Sequence, residues 1–268
     1  MTISFIGGGA MCEAILKGIL VAKGATPDEI TIAEPRKIRR NELSKKYGVI
    51  TTASNLNAVS NNADIIVLAV KPQVVSFVLN EIDKSISTRQ LLLSIVAGVK
   101  LDTLTKSTSH ASVIRVMPNT PAQIGSGVSV WTASNSVSDK QKEMVVSLLQ
   151  PLGIEIYVEN ETLIDMSTAL SASGPAYVFA FTESLIDAGI HIGMSIELST
   201  ELAIHTVLGS AKMLKETGIH PAELRNLVTS PGGTTEAALI KLEAGGLRST
   251  LIQAVEAAYQ RALQLGNL

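Results

Sequence analysis

A glycine-rich turn close to the start of the chain constrains the fold more than any other feature. The segment FIGGGAMCEAI runs from an apolar stretch into a helical pattern through Gly7, Gly9 and Cys12. In a dinucleotide-binding βαβ unit, the first glycine permits a tight turn and the second lets a pyrophosphate approach the backbone. The third position must be small so that helix and strand can pack, and a cysteine satisfies this. The segment therefore predicts a nucleotide-binding turn.

The first 158 residues alternate short apolar runs with amphipathic stretches of helical length, such as Met11–Val21 and Lys140–Leu149. A run such as Ile65–Val70, apolar throughout, is typical of a strand buried on both faces of a parallel sheet. The alternation predicts an open, doubly wound α/β domain of the Rossmann type. Eight strands are predicted, at Thr2–Ile6, Ile30–Ala33, Val49–Thr51, Ile65–Val70, Leu91–Ile95, Ser112–Val116, Val128–Trp131 and Ile154–Val158.

After about Glu159 the strand pattern stops and only helical patterns follow, so we predict domains at 1–160 and 161–268. The stretch AYVFAF is apolar on every side, which predicts a helix buried nearly all round. Charged residues make up only 17% of the chain, against about 25% in an average soluble domain. A monomer would leave apolar helix faces in water, and we expect a homodimer through this half. The helices are predicted at Leu163–Ala172, Pro175–Ala188, Leu198–Lys215, Pro221–Val228, Thr234–Glu243 and Arg248–Leu265.

Charge and composition exclude several classes of protein. With 22 Lys and Arg against 24 Asp and Glu, broad electrostatic binding of nucleic acid is not expected. A single cysteine excludes an intrachain disulfide framework, and the four histidines lack metal-ligand spacing, so no metal is expected. No apolar run approaches the roughly 20 residues of a membrane-spanning helix. We expect a soluble, cytoplasmic protein without a membrane partner.

The residues at the end of the second predicted strand favour two different cofactors. Glu34 stands where an acidic side chain accepts the ribose hydroxyls of NAD(H). Arg36 and Lys37 follow, and one or two basic residues here would suit the 2′-phosphate of NADP(H) instead. Arg39 and Arg40 are interpreted as a solvated start of a helix. Together these residues favour NADP(H), with NAD(H) as the alternative.

Three further segments follow predicted strands, where ligands bind in open α/β sheets. Leu68–Pro72 (LAVKP) contains Lys71, which either covers cofactor phosphates or ribose or is a surface lysine. Ser94–Gly98 (SIVAG) leaves the next strand. Arg115–Pro121 (RVMPNTP) is too rigid for a helix, and forms either a wall near the nicotinamide or a turn that ends a strand.

The helical half contains a loop of small residues, SPGGTT (Ser230–Thr235), directly before an amphipathic helix. Unobstructed backbone N–H groups at a helix start suit a carboxylate or phosphate. The alternative is an N-cap with a tight turn. One Ser or Thr would be enough for a cap, whereas this loop contains two glycines and two threonines.

The motifs FIGGGAM, AVKP, RVMPNTP, SASGPAY, SPGGTTEAALIKLE and GGLRSTLIQAVEAA resemble the pyrroline-5-carboxylate reductase family, in order from residue 3 to about residue 263. The resemblance implies an enzyme that reduces this cyclic imino acid to L-proline with NAD(P)H in proline biosynthesis. It also implies an α/β Rossmann-type N-terminal domain and an all-helical C-terminal dimerisation domain, often within a ring of dimers.

The resemblance also implies roles for individual residues. Thr235 would hydrogen-bond the ring nitrogen as the catalytic residue. The substrate carboxylate would bind Ser230, Gly232, Gly233 and Thr234. Together with Arg36, the predicted cofactor site consists of Gly7, Gly8, Gly9, Ala10, Met11, Cys12, Glu34, Asn55, Ala69, Val70, Lys71, Pro72 and Ala97.

Three residues depart from the family pattern. Cys12 replaces a small apolar residue and would make cofactor binding sensitive to oxidation. Ala172 stands where the family usually has Gly, and His205 where it often has Gln.

Two other functions compete with this interpretation. A β-hydroxyacid dehydrogenase would carry a catalytic lysine on a helix soon after the domain junction, but residues 161–190 contain no lysine. A non-catalytic dinucleotide-binding module is disfavoured by the SPGGTT loop, because a sensor needs no site for a carboxylate.

Overall fold

The computed structural model of the chain describes residues 1–60 and 63–266. It divides into two compact units. The sheet unit comprises residues 1–173 and the end of the chain from Ala258, and the helical unit comprises Gly174–Ala257. Compactness therefore places the division after Ser173. The predicted domain boundary at 160/161 stays a prediction. The last two residues of the predicted second domain, 267 and 268, lie outside the described part of the chain.

The sheet unit contains one eight-stranded sheet in the order β3-β2-β1-β4-β5-β6-β7-β8. All eight predicted strands are present, one with its predicted bounds and the others with ends shifted by at most two residues. Strands β1 to β6 are parallel, whereas β7 is antiparallel to β6 and parallel to β8. The strands are β1 Ile3–Ile6, β2 Ile30–Ala33, β3 Ile50–Thr52, β4 Ile65–Leu68, β5 Leu91–Ser94, β6 Val113–Pro118, β7 Gly127–Ala133 and β8 Gly153–Tyr157.

Helices cover both faces of this sheet. Because successive side chains of a strand point to opposite faces, Ile65 and Val67 of β4 join one buried cluster, and Ile66 and Leu68 join the other. The sheet unit therefore has a core on each side. Its helices are α1 Ala10–Val21, α2 Lys37–Tyr47, α3 Asn55–Val59, α4 Val75–Ile82, α5 Leu101–Thr108, α6 Asp139–Leu149 and α7 Thr162–Ser167.

The helical unit begins with two long helices, α8 and α9, that pack tightly together. A Cβ added to Gly189 of α8 would lie 2.5 Å from Oγ of Ser199 on α9, so this crossing requires a glycine. The helical stretches predicted from 175 onward are all present, with small shifts at their ends. They are α8 Gly174–His191, α9 Ile196–Thr217, α10 Pro221–Leu227, α11 Thr234–Ala244 and α12 Leu247–Leu265, the last of which continues into the sheet unit.

The helical unit buries very little of its apolar surface within one chain. Ser199 and Ala203 are its only buried residues. The expectation that the AYVFAF helix is buried nearly all round is wrong for the single chain, where Phe179 is 64% and Phe181 is 46% exposed. A few helices cannot cover one another on all sides, so the apolar faces of these helices stay exposed in the single chain.

No helix in residues 1–60 and 63–266 combines the length and the apolar character needed to span a bilayer.

Candidate active site

The predicted cofactor residues of the sheet unit meet at one edge of the sheet. Strands β1 and β4 are neighbours from which the chain proceeds in opposite directions across the sheet, and ligands of open α/β folds bind at such a switch point. The N–H of Gly7 donates to the Ala33 carbonyl and the N–H of Ala69 to the Ile6 carbonyl, each at 2.8 Å. The turn after β1, the end of β2 and the segment after β4 are thereby joined.

The glycine-rich turn has the geometry that a dinucleotide requires. Gly7 has a φ of +101°, and a Cβ there would lie 2.5 Å from the Ala69 carbonyl oxygen, so only glycine fits. A Cβ on Gly9 would meet no atom within 4 Å. This open space lies at the start of α1, where the N–H groups of the first turn lack intrahelical acceptors. The turn can therefore accept a pyrophosphate.

Cys12 is a packing residue of this turn. Its side chain is fully buried, and that burial raises the pKa of the thiol. Because the thiolate is the reactive form, the expectation of an oxidation-sensitive cofactor turn is wrong for this structure.

Charged side chains hold both backbone groups of Gly8. Oε2 of Glu34 accepts a hydrogen bond from the Gly8 N–H at 3.1 Å, and Nε of Arg39 donates to the Gly8 carbonyl at 2.8 Å. Arg39 also donates to the Glu13 carboxylate. We call Glu13, Glu34 and Arg39 the turn clamp.

Sequence reasoning missed the role of Arg39 and Arg40. Arg39 is only 20% exposed in its side chain, and Nη1 of Arg40 donates to the carbonyls of Glu34 and Pro35 at 2.7 and 2.8 Å. The prediction of a helix start is correct, since both residues lie in the first turn of α2, but the prediction that their side chains are simply solvated is wrong. A run of basic residues gives no sign of which backbone carbonyl each will reach.

Glu13 is held in its ionised form by neighbouring donors. Hydrogen bonds from Lys46 and Arg39 lower the pKa of its carboxyl to about 2, with a smaller contribution from Tyr47, although burial acts in the opposite direction. The turn clamp therefore keeps its negative charge at neutral pH.

The remaining predicted cofactor residues lie in segments around the same edge. Ala69 and Val70 are half-buried after β4, Lys71 is exposed, and Ala97 is half-buried in the loop after β5. Pro72, also half-buried, starts a short 3₁₀ turn. Ala10 and Met11 are the first residues of α1, and Nδ2 of Asn55, at the start of α3, donates to Oε2 of Glu81 at 2.8 Å.

Arg115 holds the start of the helical stretch against the sheet. Its guanidinium is 1% exposed and bonds the carboxylates of Glu161 at 3.0 Å and Asp165 at 2.5 Å. Asn119 donates to the carbonyl and the hydroxyl oxygen of Ser171, and its own Oδ1 accepts from Val128. The RVMPNTP segment thus ends a strand and anchors later parts of the sheet unit.

The SPGGTT loop turns sharply before α11. The N–H of Gly233 donates to the Ser230 carbonyl at 3.0 Å, and Gly233 begins the helix without a side-chain cap. The N–H groups of Thr234 and Thr235 belong to the first helical turn, where intrahelical acceptors are absent. They are therefore suited to bind a carboxylate.

The Glu236 side chain accepts a hydrogen bond from one backbone N–H of this loop. Its Oε2 accepts from the N–H of Gly232, a residue predicted to bind the substrate carboxylate. Sequence reasoning did not identify Glu236, although an acidic residue at the third helical position commonly reaches back to the residues before the helix. A substrate carboxylate at Gly232 would have to displace this side chain.

A groove of about 770 Å³ in the helical unit lies beside Thr234 and Thr235. Phe181, Leu185 and Leu239 contribute apolar surface to it. Thr235 is half-buried there.

Known protein families match both halves of the chain. A family model described as "Pyrroline-5-carboxylate reductase dimerisation" matches residues 161–265, and one described as "NADP oxidoreductase coenzyme F420-dependent" matches residues 2–98. A Synechocystis sp. protein named pyrroline-5-carboxylate reductase is 41% identical over 99% of this chain and 98% of its own length. The Arabidopsis thaliana protein of that name is 38% identical over 99% and 95%.

A solved structure of Plasmodium falciparum pyrroline carboxylate reductase with NADP bound is similar to the whole fold. Its TM-score is 0.91 at 34% identity, covering 99% of this chain and 98% of that one. A Coxiella burnetii pyrroline-5-carboxylate reductase has a TM-score of 0.88 at 38% identity, covering 98% of both chains.

Proposed function

The chain belongs to the pyrroline-5-carboxylate reductase family, and we propose that it reduces 1-pyrroline-5-carboxylate to L-proline in the last step of proline biosynthesis. The similarity to named reductases over 99% of the chain carries this conclusion. NADP(H) is the cofactor, with NAD(H) as the alternative, because a relative binds NADP and the first 98 residues match an NADP oxidoreductase family.

The glycine-rich turn would hold the dinucleotide phosphates. Gly9 leaves the backbone uncovered, and Ala10 and Met11 would direct first-turn N–H groups of α1 at the pyrophosphate. The bound cofactor supplies the hydride. The residues of this turn position it and take no part in proton transfer.

The SPGGTT loop would hold the substrate. Ser230, Gly232, Gly233 and Thr234 would bind its carboxylate, and the backbone N–H of Thr235 lies next to this set in the first turn of α11. The Thr235 hydroxyl would hydrogen-bond the ring nitrogen and orient the ring. A protonated imine is already an electrophile, so positioning and exclusion of water are the main requirements. This is consistent with a site built without a dedicated strong acid.

A homodimer through the helical half is supported by the match to the dimerisation family and by the exposed apolar side chains of α8 and α9. A ring of dimers, a cytoplasmic location and the lack of a nucleic-acid partner stay predictions.

The Thr235→Ala variant tests the role of the hydroxyl. Losing one hydrogen bond of about 1.5–3 kcal/mol should lower kcat/KM for the imino acid roughly 10–100-fold. Thr235→Ser keeps a hydroxyl and should recover most of the activity, and Thr217→Ala, at the exposed end of α9, is the matched control. Unchanged kinetics in Thr235→Ala would remove Thr235 from the mechanism.

One assay separates the competing functions. NADPH oxidation with 1-pyrroline-5-carboxylate supports the proposal, whereas NADP⁺ reduction with a series of 3-hydroxyacids would support the hydroxyacid dehydrogenase. Tight cofactor binding without turnover of either would indicate a non-catalytic module.

A further inference from the structure

Glu34 has the sequence position of a ribose-binding residue but is turned toward the protein. Its Oε2 accepts from the Gly8 N–H at 3.1 Å, and its Oε1 accepts from the backbone N–H of Arg36 at 3.0 Å and from Nε of Arg36 at 2.8 Å. The Glu34 side chain is only 5% exposed. Both oxygens are therefore engaged by donors of the protein itself.

Arg36 presents the complementary arrangement. Its side chain is 68% exposed, while its Nε and one Nη bond the carboxylate of Glu34. A guanidinium is a planar fork of donors, well matched to phosphate oxygens. Arg36 therefore covers the carboxylate and places a fixed positive charge at the end of β2.

The two other arginines of this segment are held by protein groups, whereas Lys37 is exposed. Arg39 bonds Gly8, Glu13 and Glu42, and Arg40 bonds the carbonyls of Glu34 and Pro35. Of the three arginines that follow β2, Arg36 alone is more than half exposed.

We propose that Glu34 is a positioning residue, which fixes Arg36 instead of binding the ribose, and that this ion pair selects dinucleotides that carry a 2′-phosphate. The inference rests on the proposed function only in taking a dinucleotide as the ligand. Without Arg36, the uncovered carboxylate of Glu34 would repel a 2′-phosphate and would accept hydrogen bonds from a 2′,3′-diol. Removing one arginine should therefore shift the preference toward NAD(H).

Calorimetric titration with ADP-ribose and 2′-phospho-ADP-ribose tests this claim, because the two probes differ only in the phosphate. In Arg36→Ala, the Kd of the phosphorylated probe should rise about 10–100-fold, the effect of losing a charge-assisted contact. The Kd of ADP-ribose should stay the same or fall. Lys45→Ala removes the same charge nine positions further along, about 13 Å along α2, and should leave both values within about twofold.

The Glu34→Gln variant distinguishes the two roles of the carboxylate. A glutamine oxygen can still accept from the Gly8 N–H, so the turn should keep its shape. The proposal predicts an ADP-ribose Kd within about twofold of wild type, since neutral hydrogen bonds to the turn are retained. A tenfold loss of ADP-ribose binding in Glu34→Gln would show that Glu34 binds the ribose and would overturn the proposal.

The double variant Arg36→Ala, Glu34→Gln gives an independent check. Neutralising the uncovered carboxylate should recover part of the affinity for 2′-phospho-ADP-ribose that Arg36→Ala loses. No recovery would contradict the claimed repulsion. These titrations use no imino acid, so a failure of the proposed reaction would leave their outcome unaffected, and turnover can be measured separately.

Discussion

The sheet unit completes its core within one chain, whereas the helical unit does not. The strand residues of β1, β2, β4 and β5 are all buried, between helices on both faces of the sheet. In the helical unit, by contrast, apolar side chains such as Phe179 and Leu208 are more than half exposed. Apolar surface of this extent marks an interaction site. One chain thus combines a self-contained nucleotide-binding unit with a unit that a second copy would complete.

A charge placed on an exposed phenylalanine of each unit tests whether only the helical unit needs a second copy. Phe179→Asp would bury an unpaired carboxylate in the dimer, which costs several kcal/mol. We expect the Kd of the dimer to rise at least about 100-fold, since 2.7 kcal/mol corresponds to that factor, and the activity to fall as the dimer is lost. Phe77→Asp, at a phenylalanine of the sheet unit that is 72% exposed, is the matched control.

Size-exclusion chromatography and kinetic assays of both variants provide the measurement. An active Phe179→Asp dimer, or equal disruption by Phe77→Asp, would show that the helical unit is not the part of the chain that a second copy completes.

The buried ion pair of Arg115 and Asp165 tests whether the sheet unit is self-contained, because such a unit must pair its own buried charges. Replacing Arg115 with Met leaves Asp165 buried without its partner and should lower the free energy of unfolding by about 3–5 kcal/mol. Lys106→Met removes an exposed pair with Asp102 and should cost less than about 1 kcal/mol. Denaturant titration at one protein concentration measures both.

Equal effects of the two substitutions would mean that solvent or another chain compensates the charges near Arg115. The sheet unit would then depend on its surroundings as the helical unit does.

The smallest expected effect concerns the pH dependence of the turn clamp. The pKa of Glu13 is lowered from 4.5 to about 2 in the folded protein. Its contribution to stability is therefore complete above the unfolded-state pKa and is lost as the pH falls toward 2. The difference in unfolding free energy between wild type and Glu13→Gln should stay constant from pH 7 to about pH 5 and narrow from there to about pH 3, measured by denaturant titration. Glu143→Gln, an exposed carboxylate on α6, is the charge-matched control, and a difference that widens at low pH would contradict the assignment.

Local patterns were enough to predict the strands, because each is a short apolar run such as Ile65–Val70 bounded by polar residues. The glycine turn was predictable for a similar reason, since the requirements at Gly7 and Gly9 are local and steric. The antiparallel direction of β7 was not predicted, because a run of apolar residues carries no information on strand direction.

Contacts between residues far apart in the chain could not be predicted from the sequence. Arg115 reaches Glu161 and Asp165, and Arg39 reaches Gly8, through folding that no spacing rule describes. The orientation of Glu34 belongs to the same class, since an acidic residue after β2 is compatible with either a ribose contact or an ion pair. The burial of the AYVFAF helix was predicted wrongly for one chain, because burial there depends on a second one.

Sedimentation of the wild-type protein over a range of concentrations tests most directly whether the helical unit is completed by a second copy. With a chain mass of 28.3 kDa, we expect an active species of at least twice that mass and no active monomer at micromolar concentration. A stable, fully active monomer of 28.3 kDa would contradict it.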